Sequence, residues 1–132
     1  MIYLDSSAVV KLVRTEPCTA ELLAWLRDDE DTRRVSSALV EVEVPRALRR
    51  SAPDALYLVP ATLGALYRIE INSAIRAAAG AFTDPRVRSL DAIHVATASQ
   101  LAPDLRAFVS YDGRLLDLAE RAGLPVIAPG SS

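Results

Sequence analysis

The apolar residues of this chain fall into short runs that alternate between two spacings. Runs rich in strand-forming residues predict strands over residues 2–4, 34–37, 67–71, 107–110 and 125–127. Between them, apolar side chains recur every three or four positions, which predicts helices over residues 8–13, 17–26, 38–50, 56–66, 72–79, 90–101 and 113–122. Alternating strands and helices are typical of parallel strands joined by right-handed crossovers. We therefore predict an α/β fold of three layers, α/β/α, with a central parallel sheet of four or five strands.

Capping residues and prolines set the expected ends of several helices. Asp5-Ser6-Ser7 and Ser89 are residue types that cap helix N-termini. Pro45 removes a backbone donor, so the helix over residues 38–50 should kink near Glu41 or begin later than its pattern suggests. Pro60 should bend or break the helix over residues 56–66.

The composition predicts one domain over residues 1–132, because 51% hydrophobic residues suffice for one core and no repeat or linker divides the chain. No apolar stretch approaches the roughly 18 residues that span a bilayer. The N-terminal residues lack the basic start and apolar stretch of a secretory signal. Cys18 is the only cysteine, which excludes an internal disulfide and fits a reducing compartment. We expect a cytoplasmic protein that does not associate with membranes.

The charge balance restricts how the chain could bind nucleic acid. A formal net charge of −2 argues against binding through the overall field of the protein. Of the 15 basic residues only Lys11 is a lysine, and the guanidinium of arginine suits forked contacts with phosphate. This composition is compatible with local phosphate contacts and equally with arginines that only solvate helix faces.

Acidic residues follow the predicted strands at one edge of the sheet. Asp5 closes the first strand, and Asp112 comes two residues after the fourth. Asp91 lies in the first turn of its predicted helix, and Glu43 lies one turn into the helix after the second strand. Ligands of open parallel sheets bind beyond the carboxyl ends of the strands, so these four carboxylates are expected to converge there. Singly, each aspartate is equally explained as a helix-start residue favoured by the helix dipole.

Four converging carboxylates require a counter-ion, because two charges about 4 Å apart repel by about 4 kcal/mol at an effective dielectric constant of 20. Oxygen ligands without a histidine or cysteine cluster select magnesium or manganese rather than zinc. One ion is the minimum. Two ions would activate water on one side of a phosphodiester and stabilise the leaving oxygen on the other. The sequence therefore indicates a site for Mg²⁺ or Mn²⁺ with one or two ions.

Four sequence blocks resemble the PIN-domain ribonucleases, and within them the VapC toxins of bacterial toxin-antitoxin pairs. The blocks are Leu4–Ala8, Glu43–Ala47, Leu90–Ala98 and Ser110–Asp112, and the resemblance extends over nearly the whole chain in order and spacing. The resemblance implies that Asp5, Glu43, Asp91 and Asp112 are the catalytic, metal-binding residues, supported by Ser7 and Ser110. The family favours Thr where Ser110 stands, a change that keeps the hydroxyl.

The same resemblance implies an activity and partners. The expected activity is Mg²⁺- or Mn²⁺-dependent endoribonuclease cleavage of RNA phosphodiesters, by a toxin that inhibits translation. The expected partners are a VapB-type antitoxin and a second copy of the chain, with DNA contacted only through the antitoxin. Trp25 and the nearby leucines, Leu22, Leu23 and Leu26, are either the groove for the antitoxin tail or simply core residues.

Assignments within the site differ in how directly the sequence supports them. Glu41 competes with Glu43, but the two lie about 200° apart on a helix and only one can face the cleft; the Arg46-Ala47 that follows selects Glu43. Arg46, His94 and Tyr111 are candidate substrate contacts. For His94 and Tyr111, packing or orienting a neighbour is an equally valid interpretation.

Three other classes of protein fit the sequence less well. A haloacid-dehalogenase-type phosphatase needs an acid two residues after the first Asp, where this chain has Ser7. A phosphate-accepting receiver domain needs paired acids after the first strand and a late lysine, whereas the only lysine is Lys11. A non-catalytic binding module with the same fold would have no need of all four acids.

Overall fold

A computed structural model describes residues 1–131 and contains one parallel sheet of five strands. The strands are β1 (Ile2–Leu4), β2 (Arg34–Ser37), β3 (Tyr67–Ile69), β4 (Ala107–Val109) and β5 (Val126–Ile127). Their order across the sheet is β3-β2-β1-β4-β5, and every neighbouring pair is parallel. The α/β fold class predicted from the alternation of elements is confirmed, with the larger of the two expected strand numbers.

Helices connect the strands and cover both faces of the sheet. They are α1 (Ser6–Val13), α2 (Thr19–Arg27), α3 (Val40–Ser51), a 3-10 helix (Pro53–Leu58), α4 (Val59–Gly64), α5 (Ser73–Gly80), α6 (Ser89–Ser99) and α7 (Gly113–Arg121). Within residues 1–131, none of these helices combines the length and the apolar character needed to cross a membrane.

The core is divided by the sheet because successive side chains of a strand point to opposite faces. Ile2 and Leu4 pack on one face with buried residues of α1 to α4. Tyr3 points to the other face and stacks on Phe108 of β4, with ring centroids 5.1 Å apart, beside residues of α6 and α7. Since β1 is buried on both faces, its three residues read as a continuous apolar run.

Three local expectations need correction or refinement. Ser89 is not the cap of α6 but its first residue; Arg88 occupies the cap position with extended backbone and no side-chain cap hydrogen bond. The helix with Pro45 begins at Val40, two residues later than its pattern suggests, and continues through the proline. The predicted helix over residues 56–66 is divided into the end of the 3-10 helix and α4, with Pro60 in the first turn of α4. Proline fits there because the first turn leaves its N–H positions unbonded.

The apolar residues of α2 separate into core and surface. Leu22 and Leu26 are fully buried, so of the two interpretations offered for these residues the structure supports core packing. Trp25 is half-buried and lies 5.9 Å beneath the guanidinium of Arg106, while Leu23 is exposed. Trp25 and Leu23 are thus the large apolar residues that present surface on this helix.

The strand order creates a crevice between β1 and β4. The chain runs outward from β1 to β2 and β3, and β4 and β5 lie on the opposite side of β1. At such a reversal the connections leave in opposite directions and open a crevice beyond the carboxyl ends of the strands. Asp5 directly follows β1, and Ser110 directly follows β4.

Candidate active site

Asp5 is fixed at the crevice by the register of the two central strands. Leu4 pairs with Val109, so the backbone N–H of Asp5 donates to the carbonyl of Val109 at 3.1 Å and the next residues lie side by side. The Asp5 carboxylate caps α1, accepting from the N–H of Ala8 at 3.0 Å and from the Ser7 hydroxyl at 2.7 Å on Oδ1. Ser110 donates to Oδ2 at 2.6 Å. Both oxygens therefore have fixed positions.

The environment of Asp5 disfavours its charge. The side chain is 3% exposed, and burial raises its pKa although His94 and the hydroxyls of Ser110 and Ser7 partly offset the effect. A positive ion near its oxygens would favour the ionised form. Asp5 is thus an oxygen donor in a fixed position whose ionised form a nearby cation would stabilise.

Glu43 is held by a chain of buried polar groups. His94 Nε2 lies 2.7 Å from Oε1 of Glu43, and the hydroxyl of Ser6 donates to the same oxygen. The other ring nitrogen of His94, Nδ1, lies 2.7 Å from the hydroxyl of Tyr3. Burial acts to raise the pKa of Glu43, but His94 and Ser6 together outweigh it and lower the pKa. Glu43 is therefore stabilised as a carboxylate.

The hydrogen-bond partners of His94 determine its arrangement. A carboxylate can only accept, so Nε2 must carry a hydrogen toward Glu43. A neutral ring then leaves Nδ1 free to accept from the Tyr3 hydroxyl, so both ring nitrogens of His94 have a partner. His94 lines the acidic cleft, but it is only 2% exposed and both its nitrogens are engaged, which fits the alternative interpretation that it orients a neighbour; substrate contact stays a prediction. The structure places His94 behind Glu43, as a positioning group.

Asp91 and Asp112 complete the acidic set from the other side of the crevice. Asp112 caps α7, and its Oδ1 accepts from the N–H of Arg114 at 3.0 Å. Asp91 lies half-buried in the first turn of α6. Its pKa is raised by burial and then by the negative charge of Asp112, while Arg114, His94 and Arg88 act in the opposite direction. Asp91 therefore lies within electrostatic range of Asp112.

All four predicted acids line one cleft of about 450 Å³. Ser6, Ser7, Arg46 and Arg50 lie along the same walls. Within residues 1–131, however, no three His, Cys, Asp or Glu side chains are arranged closely enough to hold one ion. His94 and Ser6 both engage Oε1 of Glu43. The donor set fits a hard cation by its chemistry, since it consists of carboxylate oxygens around an under-compensated Asp5.

The candidate substrate contacts have different positions. Arg46 is exposed on the cleft wall, one helical turn after Glu43, where it can meet a ligand. Tyr111 does not line the cleft: its hydroxyl donates to the carbonyl of Pro129 at 2.8 Å, and Lys11 Nζ lies 4.6 Å from its ring centroid. Burial raises the pKa of Tyr111 to about 12. Packing against the C-terminal segment, the alternative interpretation of Tyr111, is what the structure shows, and substrate contact through its half-buried ring stays a prediction.

Several residues of the site were not identified from the sequence. Arg50 follows Glu43 by seven positions and so shares its helix face, a spacing that could have revealed it. Ser6 and Tyr3 carry no comparable signal. Ser6 reads as an ordinary capping residue and Tyr3 as a core residue, and only the packing of α6 against the sheet brings His94 between them.

Replacing Ser110 tests how much the fixed position of Asp5 contributes to stability. Its hydroxyl donates to Asp5 and accepts from the N–H of Asp112 at 3.0 Å, so Ser110→Ala leaves both groups short of a partner. We expect unfolding free energy to fall by about 1–3 kcal/mol in urea denaturation. Ser110→Thr should stay near wild type, and so should Ser51→Ala, which removes an exposed hydroxyl bonded to the Ala47 carbonyl. Equal effects of Ser110→Ala and Ser51→Ala would contradict this role.

Comparisons with known proteins agree with this architecture. The family model "PIN domain" matches residues 2–121. Ribonuclease VapC35 of Mycobacterium tuberculosis is 48% identical over 135 residues, covering 100% of this chain and 99% of that protein. The crystal structure of M. tuberculosis VapC20, described as a sarcin-ricin loop cleaving toxin, superposes with a TM-score of 0.73 at 16% identity and covers 98% of this chain and 100% of its own. VapBC2 from Rickettsia felis, solved with a promoter DNA fragment, gives a TM-score of 0.69 at 13% identity, covering 98% and 99% of the two chains.

Proposed function

This chain belongs to the PIN-domain family, and we propose that it is a metal-dependent endoribonuclease that hydrolyses phosphodiester bonds in RNA. The observation that carries the proposal is the placement of Asp5, Glu43, Asp91 and Asp112 around one cleft at the carboxyl edge of the sheet. The similarity to a protein named a ribonuclease over the full chain supports the choice of substrate.

The residues of the cleft have separable roles in this proposal. Asp5, Asp91 and Asp112, together with Glu43, would hold Mg²⁺ or Mn²⁺, which supplies Lewis-acid polarisation of the phosphate and a more acidic water when bound. Ser7 and Ser110 fix the oxygens of Asp5, and His94 orients Glu43. In hydrolysis the oxygen of water bonds to phosphorus, the ester P–O bond breaks, and a proton passes to the departing oxygen.

Cleavage of an RNA transcript by the purified protein is the direct test. We expect product bands in Mn²⁺ or Mg²⁺ and none in EDTA. An Asp91→Asn preparation purified identically controls for contaminating nucleases. A wild-type protein that cleaves no more than this control, across several classes of RNA and with either ion, would overturn the proposed activity.

Metal binding should also stabilise the folded chain, because an ion that binds only the native state adds RT ln(1 + [L]/Kd) to its stability. At 100 times Kd the gain is about 2.7 kcal/mol, which for a domain of this size means a rise of several degrees in melting temperature. Differential scanning fluorimetry with Mn²⁺ measures it, and Asp91→Asn should reduce the shift. A melting temperature unaffected by millimolar Mn²⁺ would count against a metal site.

We further propose that the chain is the toxin of a toxin-antitoxin pair that inhibits translation in the cytoplasm, with a VapB-type antitoxin and a second copy of itself as partners. The fold shared with VapC20 and with VapBC2 supports this, the latter having been solved with its own promoter DNA. DNA contact would then come through the antitoxin. Trp25 and Leu23 are the residues of α2 that remain candidates for the antitoxin surface.

Co-expression with the adjacent small reading frame tests the partnership. We expect a stable complex whose RNase activity is lower than that of the isolated chain. Trp25→Ala should weaken the complex if α2 forms the contact. A chain that is not toxic when expressed alone and never co-purifies with the neighbouring product would contradict the toxin role while leaving the ribonuclease activity open to its own test.

A further inference from the structure

A second cavity, of about 380 Å³, adjoins the acidic cleft and is lined by arginines. We define the arginine pocket by Arg86, Arg88, Arg114 and Arg121 together with Asp84 and Asp117. Asp91 lines both this pocket and the acidic cleft, so the two cavities meet at that residue. A strand that lies across the acids would therefore have the arginine pocket beside it.

Two of the four arginines are already paired with acids of the pocket. Arg86 contacts Asp84 through Nε at 3.2 Å and through a terminal nitrogen at 3.1 Å. Nε of Arg121 lies 3.1 Å from Asp117. These pairs offset the charges of Asp84 and Asp117.

The other two arginines keep charge available for a ligand. Within the described chain, residues 1–131, Arg88 takes part in no ion pair, and Arg114 approaches only Asp112, at 3.9 Å. Both are exposed, and both influence the ionisation of Asp91, which places them beside the acids. Arg88 also stands at the start of α6, where no side chain caps the helix, so the positive end of the helix dipole adds to its charge.

The opposite wall of the acidic cleft carries a second pair of arginines, Arg46 and Arg50, one turn apart on α3. The acids are thus flanked on both sides by guanidinium groups, although the chain as a whole has a net charge of −2. Guanidinium groups on two cavities that meet at the acids suit an extended polymer of phosphates.

We propose that the arginine pocket binds a phosphate of the RNA strand next to the one that is cleaved, through Arg88 and Arg114. The proposal rests on the proposed ribonuclease function and assigns a direction across the cleft: the strand runs from the Arg46 and Arg50 wall, over the acids, to the arginine pocket. Guanidinium groups bind phosphate oxygens by paired hydrogen bonds and carry no base preference, so the pocket positions the strand rather than selecting its sequence.

Equilibrium binding separates this pocket from the chemistry. A fluorescein-labelled single-stranded oligoribonucleotide is titrated with protein in EDTA, and fluorescence anisotropy is followed at several salt concentrations. Arg88→Gln and Arg114→Gln should each weaken binding by about fivefold, the effect of removing one exposed ion pair. The slope of log Kd against log salt should fall by about 0.7 for each phosphate that the variant no longer neutralises. Arg27→Gln, an exposed arginine at the end of α2, serves as the matched control and should match wild type.

Cleavage kinetics in Mn²⁺ provide a second measurement, in which KM for the two pocket variants should rise more than kcat falls. If both pocket variants bind RNA with wild-type affinity and cleave it with wild-type KM, the proposed phosphate site is wrong while the ribonuclease proposal stands. The same conclusion follows if Arg27→Gln loses as much RNA affinity as the pocket variants do. A wild-type chain that neither binds nor cleaves RNA would overturn both proposals together. If the wild-type chain cleaves RNA but binds it too weakly for an anisotropy titration, the KM values of the pocket variants and of Arg27→Gln test the proposal instead.

Discussion

Asp91→Asn is expected to abolish RNA cleavage, with a loss of at least about 100-fold in kcat/KM. The reason is that a metal ion supplies several kcal/mol of charge stabilisation in the transition state, and each 1.36 kcal/mol is worth tenfold in rate. Asp91 suits this test better than Asp5, because the Asp5 oxygens hold together three structural hydrogen bonds. An amide at position 91 removes charge at nearly constant volume. Single-turnover cleavage in Mn²⁺ measures the effect.

The matched control is Asp54→Asn, which changes an exposed acid in the first turn of the 3-10 helix. It should cleave RNA at the wild-type rate. Asp91→Asn retaining more than a tenth of wild-type activity would remove this residue from the proposed metal site. Far-UV circular dichroism of both variants checks that the fold is unchanged.

The same variant has an expected effect on stability that depends on pH. Burial and the charge of Asp112 raise the pKa of Asp91 in the folded state. A carboxyl whose pKa is higher in the folded state than in the unfolded chain destabilises the fold as pH rises between the two values. In EDTA at neutral pH, Asp91→Asn should therefore melt at or above the wild-type temperature. The difference should vanish below the ordinary carboxyl pKa of about 4, where wild-type Asp91 is protonated as well.

His94→Ala is expected to cause the largest loss of stability among the site variants, about 2–4 kcal/mol. The substitution opens a cavity beside the sheet and removes a hydrogen-bond partner from both Tyr3 and Glu43. Glu43 also loses the group that does most to lower its pKa, so its side chain is less firmly held as an anion. Urea unfolding measures the first effect, and Mn²⁺ affinity from melting curves measures the second.

Two further variants separate positioning from simple destabilisation. Leu26→Ala empties a comparable volume in the other half of the core and should cost about 2–5 kcal/mol without changing Mn²⁺ affinity. His94→Gln retains a donor that can reach Glu43 and should recover part of the Mn²⁺ affinity. If His94→Ala binds Mn²⁺ as tightly as Leu26→Ala does, His94 is a core residue only.

The sequence by itself determined the order of elements, because burial of a parallel sheet on both faces requires apolar strands separated by helices with one apolar side. The blocks around Asp5, Glu43, Asp91 and Ser110–Asp112 could also be identified from the sequence. Each lies at a strand end or in the first turn of a helix, where capping preferences and the position of the sheet edge make polar residues recognisable. The strand number and the placement of all four acids on one cleft agree with that reasoning.

Only the tertiary structure decided which polar residues act together. Tyr3 and His94 are 91 residues apart, and no local pattern indicates that a tyrosine in β1 meets a histidine on α6. Tyr111 lies next to Asp112 in sequence yet packs against the C-terminal segment, because adjacent residues leave a strand end in different directions. The arginine pocket is lined by residues of the loop before α6 and by residues of α7, which are distant in sequence. The apolar residues of α2 are divided between the core and the surface. Such pairings depend on how helices pack on the sheet, and that packing is set by long-range contacts that sequence spacing does not encode.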